Sequence, residues 1–409
     1  MNRFVLMLLK TLKQKKRDLV RYLRAYLSGK ELARGLVWLS LENAHKIYGS
    51  DPNIQIHPIK IGENFTPHPP KCLQEDTQKS VDCRHAYYNT VLLDVRRSDY
   101  SFRNNHLLDN NLRVIYEPDL DWSVLPIRNQ VLADCQHVEG TVAYLSNTNM
   151  AQYAHWLEFQ LPLLLSYWHI VKPDEIDYYY IGDGPIADFI EESLGVLGIR
   201  KEKIINFPCT CDRALIAIKK RKITFSERFT GIEMDKPSYE FLNHMFIPRV
   251  PPEIPPLPKR IYVGRGNVKA RKVLNEDAVI EYLETLGFVA ITMEGKTMQE
   301  EADIFGNAEA VIAPHGSALH NLLFAKPGTK VIEIFPDGYY EWSNYIISHH
   351  GQCDYYHLMG DRLYNLSDAK YQDVRVLRTL DIKVNIDKLQ KVCAMAGLVN
   401  CNSPEILVP

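Results

Sequence analysis

The sequence predicts an α/β protein: two doubly wound, Rossmann-like domains facing a cleft, preceded by a basic amphipathic helix. Three observations carry this expectation. Beyond residue 259, short β-branched and aromatic runs alternate with helix-length amphipathic stretches, the pattern of βαβ units around a parallel sheet. Residues 248–258 hold six prolines in eleven positions, which removes backbone donors and fixes φ, so they read as a stiff extended connector. The 409 residues also exceed the ~150 of one typical domain. The expected parts are a helical segment over 1–50, a first domain over 51–247, the connector, a second domain over 259–385, and a C-terminal helix and tail over 386–409.

In the second domain the elements follow in order. Residues 260–263 form a strand, and Asn275 caps a helix whose apolar face is Val279, Tyr282, Leu283 and Leu286, ended by Gly287. Residues 288–292 are the next strand. Thr297 and Glu300 have capping-box spacing and open a helix through Phe305. Residues 310–313 are a strand followed by a turn at Pro314, His315 and Gly316, then a short helix through Phe324. Pro327-Gly328 turns the chain into a strand over 330–335. The first domain repeats the alternation less regularly. Strands are expected at 142–145, 178–181, 203–207 and 214–218, with helices over 151–170 and up to Gly198; residues 51–135 show no ordered pattern.

Composition narrows the function. Apolar residues make up 46% and charged residues 24%, which excludes disorder, collagen and a polytopic membrane protein. The net charge of −2 is unevenly spread: residues 1–30 hold nine Lys/Arg and one acid, leaving 39 basic and 49 acidic residues beyond. A body this acidic argues against nucleic-acid binding. Residues 4–9 are apolar for only six positions, too few for a membrane span. Leu8, Leu12, Leu19, Leu23 and Leu27 recur at steps of four and seven among cations. Residues 3–27 therefore suit either peripheral contact with an anionic membrane or packing on the protein's own surface. The eight cysteines are scattered and lack zinc-site spacing, so buried thiols in a reducing, cytoplasmic setting are expected.

The chemistry concentrates at residues 314–321. A turn between a buried strand and a helix lies on the carboxyl edge of the sheet, where open α/β sheets bind ligands. Gly316 permits close backbone approach, and the first helical amides, of Ser317 and Ala318, have no intrahelical acceptor and suit a phosphate. His315 adds a donor or, as imidazolium, a charge. Arg265, Arg271 and Lys272 fall at the same edge, and arginine suits bidentate phosphate contacts. Glu333, one strand further, either accepts from ribose hydroxyls or pairs with one of these cations. Together they describe a nucleotide-diphosphate pocket with no evident metal.

These residues resemble glycosyltransferase family 61 in its bacterial style. The likeness rests on Arg265, Arg271 ahead of Asn275-Glu276, Gly287-Phe288, the run His315-Gly316 with Leu319 and Asn321, then Phe324, Pro327-Gly328 and Glu333. Earlier in the chain, Tyr153, His155, Trp156, Leu157, Leu161 and Pro162 resemble that family's His-Trp-Leu helix. The resemblance implies a GT-B fold and metal-independent, inverting transfer from a nucleotide sugar, commonly UDP-linked, to an acceptor hydroxyl. The donor would be held by the second domain and the acceptor, a glycan or lipid-linked sugar, by the first, with no further cofactor. The family carries a carboxylate four residues after the His; here Phe159 stands there and the acid is Glu158. His155 as base oriented by Glu158, and Glu158 acting directly, are both open; three residues apart, they occupy neighbouring positions on a helix face.

Other signals read as structural. Asp119-Leu-Asp121 is a DxD outside any nucleotide-binding unit, and Gly182-Asp183-Gly184 lacks dinucleotide spacing. His349, His350 and His357 are expected at the surface or in the cleft. Among the tyrosines, Tyr339 and Tyr340 are the best placed to stack on sugar or base. Besides a transferase in surface polysaccharide synthesis, a non-catalytic nucleotide-sugar or glycan-binding module and a nucleotide-sugar epimerase fit the same architecture.

Overall fold

A computed structural model describes residues 35–38, 41–59, 70–73, 84–96, 100–103, 106–109, 113–116, 132–146, 152–224, 234–246, 256–266, 268, 270–368 and 374–399. The basic segment 1–30, residues 248–255 of the connector, Asp119–Asp121 and the tail from 400 lie outside them. The chain divides into two compact units, Met1–Ile61 with Tyr88–Arg221, and Gly62–Tyr87 with Lys222–Pro409.

The sheet of the first unit contains β1 (Gly35–Trp38), β2 (Ile54–Ile59), β3 (Arg84–Arg96), β4 (Ser101–Arg103), β5 (His106–Leu108), β6 (Arg113–Tyr116), β7 (Gln136–Tyr144), β8 (Tyr178–Tyr180), β9 (Ile204–Ile205) and β10 (Cys209–Thr224). Their order is β1-β6-β5-β4-β10-β7-β8-β9, with β3 joining β10 to β2. Among the pairings between described residues, β10-β7-β8-β9 and the β1–β6 pair are parallel, while β4, β5 and β2 run against their neighbours. The strands expected in the first domain, β7 to β10, are thus parallel to one another, and the antiparallel pairings of β2, β4 and β5 are where the unit departs from a doubly wound sheet. The short β4–β6 strands are joined by connections too brief for parallel crossovers. Gly35–Trp38 is likewise a strand inside the segment expected to be helical. Phe102, Tyr144 and Tyr180 stack at 5.0–5.8 Å in the core, and the Arg213 guanidinium donates to both oxygens of buried Asp94 at 2.8 and 2.7 Å.

The second unit follows the expected pattern closely. Strands β11 (Arg260–Val263), β12 (Val289–Ile291), β13 (Ala310–Pro314), β14 (Lys330–Phe335) and β15 (Asp354–Met359) are all parallel, in the order β12-β11-β13-β14-β15. Counted within the sheet this is 2-1-3-4-5, a doubly wound order whose strand direction of growth reverses between β11 and β13. On one face, Tyr262, Ile312, Ile334 and Leu358 pack with Val279 and Leu283 of the helix Glu276–Thr285 and Leu389 and Val392 of Ile386–Met395. The expected capping box holds: Thr297 Oγ1 accepts from the Glu300 amide at 3.2 Å and Glu300 Oε2 from the Thr297 amide at 2.7 Å. Asn275 does not cap. Its amide instead brackets Val384, accepting from that residue's N–H and donating to its C=O, both at 2.9 Å. Among the described residues no helix is long and apolar enough to cross a membrane, and Cys72, Cys135, Cys209, Cys211, Cys353 and Cys393 are free thiols.

Candidate functional site

The reversal of strand order puts two loops side by side at the carboxyl edge: the one after β11, with Arg265 and Arg271, and the one after β13, with His315 and Gly316. Arg265 Nη1 donates to the His315 carbonyl at 2.5 Å and so spans the two. The segment Ser317–Phe324 is a 3-10 helix opened by Leu319 donating to Gly316; among the described residues the amides of Ser317 and Ala318 have no acceptor. Ser317 is exposed and Ala318 half-buried.

Two cations back these amides. The Nε atoms of Arg265 and Arg271 are buried without a hydrogen-bond partner, and among the described residues neither guanidinium has an ion-pair partner. Burial, then the charge of Arg271, brings Arg265 down to about 10; burial likewise lowers Arg271. Arg271 has φ 57°, the left-handed region that costs a non-glycine residue ~1–2 kcal/mol. Arg378, which the sequence did not single out, lies close enough to depress Arg271 further. Two partly desolvated guanidinium groups without ion-pair partners among the described residues, one of them against the loop that carries the free amides, make a place where an anion is favoured.

His315 and Glu333 sit beneath. Glu333 is 0% exposed and holds three donors: His315 Nδ1 at 2.6 Å and Asn344 Nδ2 at 2.7 Å on Oε1, and the Tyr355 hydroxyl at 2.5 Å on Oε2. The expected ribose contact is thereby corrected, because both oxygens are occupied and shut off from any ligand. Burial, the largest cause, pushes Glu333 up, and the Tyr355 and Asn344 donors oppose it. His315, stacked on Phe335 at 5.0 Å and edge-on to Tyr339 at 5.5 Å, is pushed well down by burial, so it enters as neutral imidazole and not as a cation.

Other expectations change as well. Asn321 is fully buried and donates to Glu301 Oε2 at 2.8 Å, tying the 3-10 helix to Met298–Asn307, so it does not meet a ligand. Lys272 is exposed, and its amide donates to Asp381; the side chain is not gathered with the arginines. Tyr339 and Tyr340 are buried behind His315, and His357, expected at the surface or cleft, is 1% exposed. Among the described residues no group of three His, Cys, Asp or Glu side chains could hold a metal ion. Glu341, outside every motif of the sequence, reaches the pocket with Oε2 at 3.6 Å from His315 Nε2.

In the first unit, His155 ends the helical turn Tyr153–His155, and Trp156–Gln160 continues as a π-helix, with the Leu161 amide donating to the Trp156 carbonyl. Pro162 explains the change: it has no N–H and its ring crowds the carbonyl four residues back, at Glu158. Phe159 lies against His155, with ring centroids 5.2 Å apart, and Glu158 is 3% exposed. Trp156 anchors the segment by donating to Ser193 Oγ at 2.9 Å.

The second unit and its pocket define a doubly wound α/β protein with a cationic, amide-lined recess at the reversal point of its sheet. Residues 153–332, which carry His155 and this recess, match the family model described as Glycosyltransferase 61. Over that span the chain resembles glycosyltransferase family 61, which supports a glycosyltransferase activity in general. No curated protein matches the chain.

Proposed function

We propose that the chain is an inverting, metal-independent glycosyltransferase of GT-B architecture. It moves a sugar from a nucleotide sugar, UDP-linked, to a hydroxyl of a glycan or lipid-linked acceptor in surface polysaccharide synthesis. The observation that carries this reading is the pair Arg265 and Arg271, desolvated and unpaired among the described residues beside the free amides of Ser317 and Ala318. In the reaction the acceptor oxygen attacks the anomeric carbon as its proton leaves to a base. The bond from that carbon to the diphosphate breaks, and the electron pair stays on the phosphate oxygen. The arginines and amides meet that charge, a contribution that usually exceeds the ~10²–10⁴-fold of proton removal. His155 is assigned as the base, since it is half-buried whereas Glu158 is sunk in the core.

Incubation with a panel of nucleotide sugars tests the reading. Release of free nucleotide that persists in chelator, with inverted anomeric configuration in the product, is the expected result. One observation favours a second reading: Phe159 against His155 suits a binding module without turnover, which would bind a nucleotide sugar and release nothing. A changed sugar still joined to its nucleotide would mark an epimerase. In this reading the enzyme is cytoplasmic, and the basic residues 3–27 suit contact with an anionic membrane surface. Deleting residues 1–30 is then expected to release it from anionic vesicles.

A further inference from the structure

The carboxylates of the pocket differ in what they can still accept. Glu333 is closed by three donors. Glu341, in the loop between β14 and the helix Ser343–His350, keeps 20% of its side chain exposed. Its Oε1 accepts from the amide of Ser343 at 2.8 Å and from the Ser343 hydroxyl. Its Oε2 receives no hydrogen bond from the described residues and stands 3.6 Å from His315 Nε2. With Glu333 ionised, its contact with Nδ1 assigns the ring proton of neutral His315 to that nitrogen, and Nε2 then presents a lone pair. Two acceptors thus share one gap, within electrostatic range of Arg271.

Neither a phosphate oxygen nor another carboxylate suits that gap, since both lack a proton to give. Hydroxyl groups suit it, and two on adjacent carbons would serve both acceptors. We infer that Glu341, with His315 Nε2, is the hydroxyl-recognition element of the pocket, accepting from vicinal hydroxyls of a sugar ring joined to the bound diphosphate. The inference rests on the nucleotide-sugar reading above. Such hydroxyls occur on the ribose and on the transferred sugar, and the test separates the two.

Calorimetric titration of wild type and Glu341→Gln uses four probes. These are pyrophosphate, the tightest-binding of UDP, GDP, CDP and ADP, its 2′-deoxy analogue, and the corresponding nucleotide sugar. Gln keeps an oxygen for the Ser343 amide, and a melting curve checks that the variant folds. Losing a hydrogen bond to a charged group weakens the hydroxyl-bearing ligand about 10- to 100-fold. Pyrophosphate binds the variant as tightly as wild type or more tightly, because a negative charge near Arg271 is gone. Loss on the ribonucleotide but not its deoxy analogue assigns the ribose; loss only with the sugar attached assigns the transferred ring. An equal loss on all four, pyrophosphate included, overturns the inference and leaves the nucleotide-sugar reading standing. Failure of wild type to bind any of them overturns both.

Discussion

Arg265 places its guanidinium where a Cβ on residue 316 would stand, and its Nη1 holds the His315 carbonyl at 2.5 Å. Gly316 has φ 173°, an extended conformation open to any residue, so its need for glycine is steric and comes from this arginine. Gly316→Ala is therefore expected to fold normally, displace Arg265 and weaken nucleoside diphosphate binding about tenfold or more. Melting and titration with UDP check the two halves. A large loss of stability with unchanged affinity would show that the arginine is not a ligand.

Arg271 gives effects of opposite sign. Its left-handed backbone at φ 57° is unfavourable for arginine and natural for glycine. Arg271→Gly is expected to cost little stability, or to gain up to about 1 kcal/mol, while diphosphate affinity falls about 10- to 100-fold. Arg271→Ala, which keeps the strain and loses the charge, weakens binding to the same extent without the gain. Denaturant unfolding and titration of the two variants together separate the backbone contribution from the side chain's.

The second unit was legible in the sequence because each of its elements is local. β-branched runs, a Thr297–Glu300 capping box and a Gly287 stop, which adopts φ 78°, each state their element within a few residues. In the first unit strands β7 to β10 were legible in the same way, but those before residue 135 were not, because short strands there pair over long distances, and a pairing such as β1 with β6 leaves no periodic trace. At the site, Arg265, Arg271 and the free amides stood out by type and position. What Glu333 does depends on Tyr355 and Asn344, eleven or more residues away, and no spacing rule connects them. The π-turn was within reach: Pro162 sits four residues after Glu158, a signal that the regular ladder fails there.

That π-turn makes His155 and Glu158 separable by experiment. His155→Ala is expected to lower kcat about 10²- to 10⁴-fold while leaving nucleoside diphosphate affinity unchanged. Glu158→Gln, a near-isosteric change at a 3% exposed position, is expected to act on stability and to leave kcat within a few-fold of wild type. Single-turnover assays with saturating donor, alongside melting curves, read both. Retained turnover in the His155 variant with collapse in the Glu158 variant would transfer the base to the carboxylate.

Acid sensitivity is expected to arise in part from His357. The ring is 1% exposed, packed edge-on to Tyr340 at 5.3 Å, and neither nitrogen has a hydrogen-bond partner among the described residues. Burial lowers its pKa from 6.5 to about 4. The unfolded chain therefore binds a proton between those values that the folded chain refuses. Stability tied to this residue is complete above pH 6.5 and declines as pH falls toward 4, by up to about 3 kcal/mol. Glu333, raised by burial, contributes the opposite slope between about pH 4.5 and 7 in wild type and variant alike, so the comparison with His357→Phe cancels it. The phenyl ring fits among Phe335 and Tyr340 and carries no unpaired N–H, so the variant matches or exceeds wild type at pH 7.5. Its advantage grows on acidification, which urea unfolding at intervals from pH 7.5 to 4 measures. Parallel losses in the two proteins would place the acid-sensitive group elsewhere, with half-buried His350, held near 4 by burial, the next residue to replace.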